Sequence, residues 1–547
     1  MCSGYRHPFL VGSYYFGGVG DTPRTLTDLA MSECSYSIRR KYGWWACFRN
    51  ADARANWEQE IRSRSWTVLI ASNQVEISLT DGQVKYILDE LEGYDLLRDV
   101  DNRCQVSCFE RIWESHALLD TSTLADLNHL LSHFRHDWSS KHTRDEDGVT
   151  THLIDPLLYS LINGVSAIFD SSKKGSQCQT VPFDTHSGMA SYAVSRQFAY
   201  LPTDFFVSPT GDAKALSYIN NLHPQLTSLY RRFEDVVSAC VPLFEHVLTD
   251  LHRNNPLVQR IKGPCKYTEW DEPEPPEYSD DEDGWALYER QIRHWVMQRP
   301  IKLPDVPSSG YQGGLEYRKH YVNLRNKKLQ IVIRVSETRL HPGCPSYPGS
   351  PWHVEGMKNE RIVACALYYS SVENIVDNAL EFRMAVTSPR GFTPGDRGAT
   401  VRTWGFLDGD PCHQRIGSVS TQTGFCIAFP NIYQHRHTPF TLLDPTKEGH
   451  QRVVALYLVD PDIQPIISTS SVPPQQDDWM RSAMHSWVDP RIPVELVDRI
   501  VDKVDGVRSL REAEKLREEM LKERTEFLRT SDLHHFCIPF DIWNVLS

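Results

Sequence analysis

The spacing of hydrophobic positions changes character along this chain. Over residues 1–265 they recur every three or four residues in "RTLTDLAMSECSYSIRRKYGWW", "DGQVKYILDELEGYDLLRDV", "STLADLNHLLSHFRHDW" and "YRRFEDVVSACVPLFEHVLTDLHR". That spacing lines one face of an α-helix, so the region is expected to be mainly helical. Two parts differ. "THLIDPLLYSLINGVSAIF" reads as a buried strand or helix pair, and "LPTDFFVSPTGDAKALSYINNLHP" as loops with short strands, broken by Pro and Gly.

Residues 266–300 interrupt the pattern. "WDEPEPPEYSDDEDGW" is acidic and proline-rich, which reads as a solvated linker or loop, with an acidic docking motif as the rival. From 301 to 475 the period becomes two. "LQIVIRVSETRL" puts Ile331, Ile333 and Val335 on one face, and "RIVACALYYSS", "TGFCIAFP" and "QRVVALYLVDP" are short β-branched or aromatic runs ended by turn residues. Residues 476–547 return to helix, with i,i+4 charge pairs in "SLREAEKLREEMLKERTEFLR". The polarity of that segment predicts a solvent-facing helix. The fold class expected is α+β: a strand-rich barrel or sandwich behind a large helical N-terminal region, followed by C-terminal helices.

Composition narrows the classes. With 547 residues the chain is long enough for two or three domains. Its 14 Trp, 23 Tyr and 21 Phe argue against general disorder. A net charge of -13 disfavours nucleic acid as the main partner. No apolar run is long enough to span a membrane, and the opening residues lack a signal-peptide layout. The 13 Cys are scattered without pairing rhythm, which points to a reduced compartment, cytoplasmic or nuclear.

Candidate chemistry sits in "PWHVEG", where His353 and Glu355 flank Val354. Side chains at i and i+2 of a strand share a face. Taken alone, the pair reads more simply as two alternating strand residues. A third ligand, His435 in "FPNIYQHRHTPF", follows several strands later. Two His and one carboxylate form the facial triad of non-haem Fe(II) oxygenases. Arg452 then opens the strand "QRVVALYLVDP", where a guanidinium could grip the far carboxylate of 2-oxoglutarate through two parallel hydrogen bonds. This order points to a double-stranded β-helix (jelly-roll or cupin-like) oxygenase. Most such enzymes carry Asp where this chain has Glu355.

The sequence also resembles the fungal domain-of-unknown-function 4246 family. The resemblance is carried by "LPTDFFVSPTGDAKALSYINNLHP", "WHVEGMKNERIVACALYY", "AFPNIYQHRHTPF", "LLDPTKEGHQRVVALYLVDP" and "ISTSSVPPQQDDW". It implies an oxygenase-like jelly-roll core with His353, Glu355 and His435 at the metal position, and supplies no substrate. Gln451 stands where a basic residue is expected, which leaves Arg452 as the arginine of this strand start.

His437 competes with His435, since "HRH" puts both on one strand face; it could instead orient a ligand. Trp352 and Tyr368 read first as core aromatics and second as pocket walls. His129, His133 and His136 read as a solvated helix face. The function expected is an Fe(II)- and 2-oxoglutarate-dependent dioxygenase that oxidises a C–H bond of a small or amino-acid-derived substrate with dioxygen. The alternatives are a cupin-like metal oxygenase without 2-oxoglutarate and a non-catalytic scaffold that binds a protein partner. What separates them is whether Arg452 and the triad meet in one cavity.

Overall fold

The computed structural model describes residues 4–8, 21–138, 143–145, 147–169, 178–181, 191–255, 257–268, 271–488 and 492–543. Most of the opening segment, Trp270 of the acidic stretch and residues 489–491 lie outside them.

The core strands are β1 (Gln105–Val106), β2 (Trp113–Ser115), β3 (Thr143–Arg144), β4 (Thr150–Ile154), β5 (Thr203–Val207), β6 (Ala213–Ala215), β7 (Lys327–Leu340), β8 (Ile362–Glu373), β9 (Ala379–Ala385), β10 (His413–Ser420), β11 (Cys426–Pro430), β12 (Tyr433–His437) and β13 (Gly449–Val459). One antiparallel sheet runs β6–β5–β7–β13–β8–β11–β2–β1. Strand β4 pairs with the other half of the β7 edge that β5 uses, and carries β3. A smaller antiparallel sheet runs β10–β9–β12. The segment around His353 joins its β12 edge through an isolated bridge, His353 to His435. The described strands do not close into a barrel.

Side-chain alternation sets the layers. Leu329, Ile331, Ile333 and Val335 of β7, Ala364, Ala366 and Tyr368 of β8, and Val454, Leu456 and Leu458 of β13 share one core with the helices α1 (Leu26–Arg39), α2 (Asp81–Leu97), α3 (Thr121–Asp137) and α4 (Thr227–Leu251). The opposite face carries Val332, Cys365, Leu367, Tyr369, Val453, Ala455 and Tyr457. These pack with Leu380, Phe382 and Met384 of β9, Ile416 and Val419 of β10 and Tyr433 of β12. The large sheet is thus buried on both faces, which explains why its strands read as nearly unbroken apolar runs.

Three expectations change here. The region 1–265 is not mainly helical in its contribution to the core: it supplies β1 to β6 to the same sheet as β7 and β13, so that sheet crosses the expected divisions at 265 and 301. Residues 266–300 are not linker throughout. They form α5 (Glu282–Gln298), capped by the Asp281 carboxylate and with no buried residue. At the C-terminus, α6 (Asp477–Trp487) and α7 (Val494–Val501) precede α8 (Leu510–Ser531).

Helix α8 is not solvent-facing. Ala513, Arg517, Met520, Arg524, Phe527 and Ser531 form a buried stripe at the spacing of one helix face. Two of these are arginines whose stems pack while their heads find acids. Arg517 reaches Asp155 at 2.5 Å, and Arg524 pairs with Glu360. Counting apolar residues alone misses such a face. No helix among the described residues is long and apolar enough to cross a membrane.

Glu360 is almost fully buried and also accepts from the backbone N–H groups of Tyr200 and Met357. Arg524→Ala would strip its charged partner. Breaking a buried ion pair from one side costs about 3–5 kcal/mol, and the two remaining donors place this case at the lower end. A matching fall in stability by urea unfolding is the expected result.

Candidate metal centre

His353 and His435 face each other across two strands. Each backbone N–H donates to the other's carbonyl, at 3.2 and 3.0 Å, which makes them a hydrogen-bonded antiparallel pair. Their ring centroids lie 4.3 Å apart. Glu355, two residues on from His353, turns its carboxylate to the same place. Its Oε1 stands 3.6 Å from His353 Nε2 and 3.7 Å from His435 Nε2. One ligand atom from each of the three residues falls within 4.8 Å of the others.

This spacing is too long for hydrogen bonds. It suits donors that share an ion: ligand atoms about 2.0–2.2 Å from a metal stand roughly 3–3.5 Å apart. Glu355 Oε1 is buried without a hydrogen-bond partner, as a vacant ligand atom would be. Nδ1 of His353 lies 2.8 Å from the Pro351 carbonyl oxygen. A proton on Nδ1 leaves the Nε2 lone pair for a cation. The donor set therefore fits a first-row divalent metal.

Electrostatics prepare the same state. Burial, with His353 alongside, pushes the pKa of His435 down to about 4, so its imidazole is neutral at pH 7. Burial opposes ionisation of Glu355, but Arg334 and the two imidazoles outweigh it and hold its carboxyl well below the ordinary range. A neutral His435 imidazole thus faces an ionised carboxylate.

Asn431 locks the arrangement, and nothing in the sequence marked it. Its Oδ1 accepts from the Glu355 backbone N–H at 2.8 Å, and its Nδ2 donates to the Glu355 and Ile362 carbonyls at 2.7 and 3.0 Å. Asn431 sits in the turn between β11 and β12, so it ties the strand of His435 to the backbone of Glu355. Phe429 packs against the His435 ring at 4.7 Å.

The two histidines of the triad line a cavity of about 150 Å³ whose wall also includes His437, Arg334, Gln451, Leu367 and Val453. His437 lines this cavity but falls outside the cluster of ligand atoms. Burial pushes its pKa down to about 3. Trp352 is not in this wall: it lies under the guanidinium groups of Arg383, Arg415 and Arg436, at 4.9, 5.7 and 4.6 Å. Tyr368 faces the helices in the other core. His129 and His133 remain on an exposed helix face, 3.2 Å apart.

The role expected of Arg452 is not met. Residues 452, 454, 456 and 458 point to the helix side of β13, while 451, 453, 455 and 457 point to the second sheet. Arg452 accordingly meets Glu337 at 2.6 and 2.8 Å and reaches Asn128 and Ser132 of α3. Gln451, without charge, takes the cavity position. Arg334, to which the sequence pattern assigned no role, is the guanidinium that lines the cavity.

Two outcomes follow. One Co(II) or Zn(II) per chain should bind, and binding should be lost in His353→Ala, Glu355→Ala and His435→Ala but kept in His437→Ala. Asn431→Ala should weaken it about 10–100-fold, the usual effect of losing a group that orients a ligand; calorimetry checks both. Glu337 supplies the second. Burial opposes its ionisation, but Arg452, Arg339 and Arg135 outweigh that and hold its carboxyl below the ordinary range. Its stabilisation is present above the unfolded pKa of about 4.3 and is lost as pH falls through the lower folded value. Arg452→Ala should therefore be less stable at pH 7 and lose less on acidification, as read by urea unfolding at pH 7 and pH 4.

Comparison with known proteins adds the following. No curated protein matches the chain. Among solved structures, the IDO of Bacillus thuringiensis aligns at 11% identity over 25% of this chain and 48% of its own, with a TM-score of 0.17. The Fe(II)/(alpha)ketoglutarate-dependent dioxygenase TqaL aligns at 13% identity over 34% and 56%, with a TM-score of 0.17. The chain thus spans about half the length of these two. A bsmA homolog from Methylobium petroleophilum aligns at 10% identity over 62% and 88%, with a TM-score of 0.22. The model of one family, described as "Protein of unknown function (DUF4246)", matches residues 81–483, and the chain belongs to that family.

Proposed function

We propose that this protein is an Fe(II)- and 2-oxoglutarate-dependent oxygenase that oxidises a C–H bond of a small or amino-acid-derived substrate. The observation that carries the reading is the convergence of His353, Glu355 and His435 on one point, beside a cavity that the two histidines line. Two imidazoles and one carboxylate on one side of an ion leave its other positions for ligands. The strand order supports a double-stranded β-helix core. From β7 the chain passes to the His353 segment, β8, β9, β10, β11, β12 and β13, which places four strands in each of two facing layers.

Iron, when bound, would supply dioxygen activation coupled to oxidation of 2-oxoglutarate. The chain's own residues do the rest. Pro351 selects the tautomer of His353, burial keeps His435 neutral, and Arg334 keeps Glu355 ionised. Leu367, Val453 and Phe440 form the apolar part of the wall and limit water. A cytoplasmic or nuclear setting belongs to the same reading, supported by the unpaired thiols of the described cysteines.

A second reading keeps the metal and drops 2-oxoglutarate, giving a cupin-like oxygenase. The outward turn of Arg452 favours it. Succinate release separates the two. Protein purified without oxygen and given Fe(II), ascorbate, 2-oxoglutarate and air should form succinate in an iron-dependent way, and His353→Ala should form none while keeping its circular dichroism. No succinate, together with no binding of 2-oxoglutarate by calorimetry, would establish the second reading instead.

A further inference from the structure

We infer that Arg334 receives a carboxylate of the organic acid bound in this cavity. The inference rests on the oxygenase reading and deepens it by assigning the anchor that Arg452 does not provide.

Arg334 lies on the inward face of β7, directly opposite Ala455 of β13. A methyl side chain there leaves the guanidinium room to extend into the cavity it lines with His353 and His435. Its charge is permanent. Among the described residues the carboxylate within 4 Å of it is that of Glu355, at 3.6 Å, beyond hydrogen-bond reach. Its Nε is buried without a partner. The hydroxyl of Tyr457, whose ring lies 5.6 Å from the guanidinium, is also buried and unpartnered.

Buried arginines elsewhere among the described residues are engaged by protein acceptors, although several, such as Arg524, also keep an unpartnered Nε. Arg452 holds Glu337, Arg260 holds Glu90 and Ser32, and Arg383 holds Gln434. The Arg334 side chain is 28% exposed, and no protein acceptor among the described residues takes its guanidinium, which leaves those donors for a ligand. Among the described residues, Arg334 is also the one Lys or Arg in the cavity wall. A single planar fork matches a carboxylate, while phosphate sites commonly gather further donors. Ser336, Thr338, Thr150 and Gln451 continue a polar wall beyond it, together with Asp145, whose carboxylate is paired with His152 at 2.9 Å. A cavity of about 150 Å³ takes a compact acid rather than a polymer.

The test is a calorimetric titration of the Zn(II)-loaded full chain with 2-oxoglutarate under argon, so that binding is read without turnover. Arg334→Gln, compared at saturating Zn(II), should weaken 2-oxoglutarate binding at least about tenfold, or about 1.4 kcal/mol. Arg334→Lys, which retains charge but not the two-pronged geometry, should fall between. Wild-type affinity in Arg334→Gln would overturn the inference and leave the oxygenase reading standing. Failure of the Zn(II)-loaded wild type to bind 2-oxoglutarate would overturn both. An independent measurement needs no variant: 2-oxoglutarate should protect Arg334 of the wild type from phenylglyoxal, read by peptide mass spectrometry, and modification at an unchanged rate would equally overturn it.

Discussion

The strict alternation of side chains across a sheet buried on both faces governs this molecule. In β7, β8, β11 and β13 every residue faces either the helices or the smaller sheet, and both sides are apolar cores. A shift of one residue would exchange the two sets entirely. Each charged side chain on these strands therefore has its environment decided by parity before its own chemistry enters.

Two arginines show the consequence. Arg452 and Arg334 come from paired neighbouring strands, yet they sit in opposite layers. Arg452 faces α3 and is absorbed by Glu337, which also draws in Arg135 and Arg339. That cluster is a tie between sheet and helix. Arg334 faces the second sheet and stands beside Glu355 with its buried Nε unpaired. The same residue type serves stability on one face and leaves donors for a ligand on the other.

The candidate centre depends on the same sheet pairing at closer range. His353 and His435 meet because their backbones exchange hydrogen bonds, and Glu355 joins them because it is two residues from His353. Asn431 then holds the Glu355 backbone from both its N–H and its carbonyl. The desolvation that keeps His435 neutral is a cost to Glu355, and Arg334 offsets it. The carboxylate, the imidazoles and the guanidinium form one electrostatic unit.

Local periodicity was enough to read α1 to α4, the long strands β7, β8 and β13, and the helices of the C-terminus, because repeats of two and of three to four survive in any context. The i,i+2 spacing put His353 and Glu355 on one face, the family resemblance added His435, and His437 stayed its competitor until the folded geometry brought the ligand atoms of His353, Glu355 and His435 together. Long-range pairing lay beyond it. Strands β1 to β6 are short and gain their hydrogen bonds only from distant partners, so a region read as helical joins the central sheet. Helix α8 looked solvated because its buried stripe includes Arg517 and Arg524, whose acids lie far away in the chain. Periodicity states which residues share a face, while only tertiary packing states what that face meets. Arg452 was therefore visible as a strand-opening arginine, and its turning away from the cavity, with Arg334 and Asn431 turning toward the centre, was settled only by the folded arrangement of the sheets.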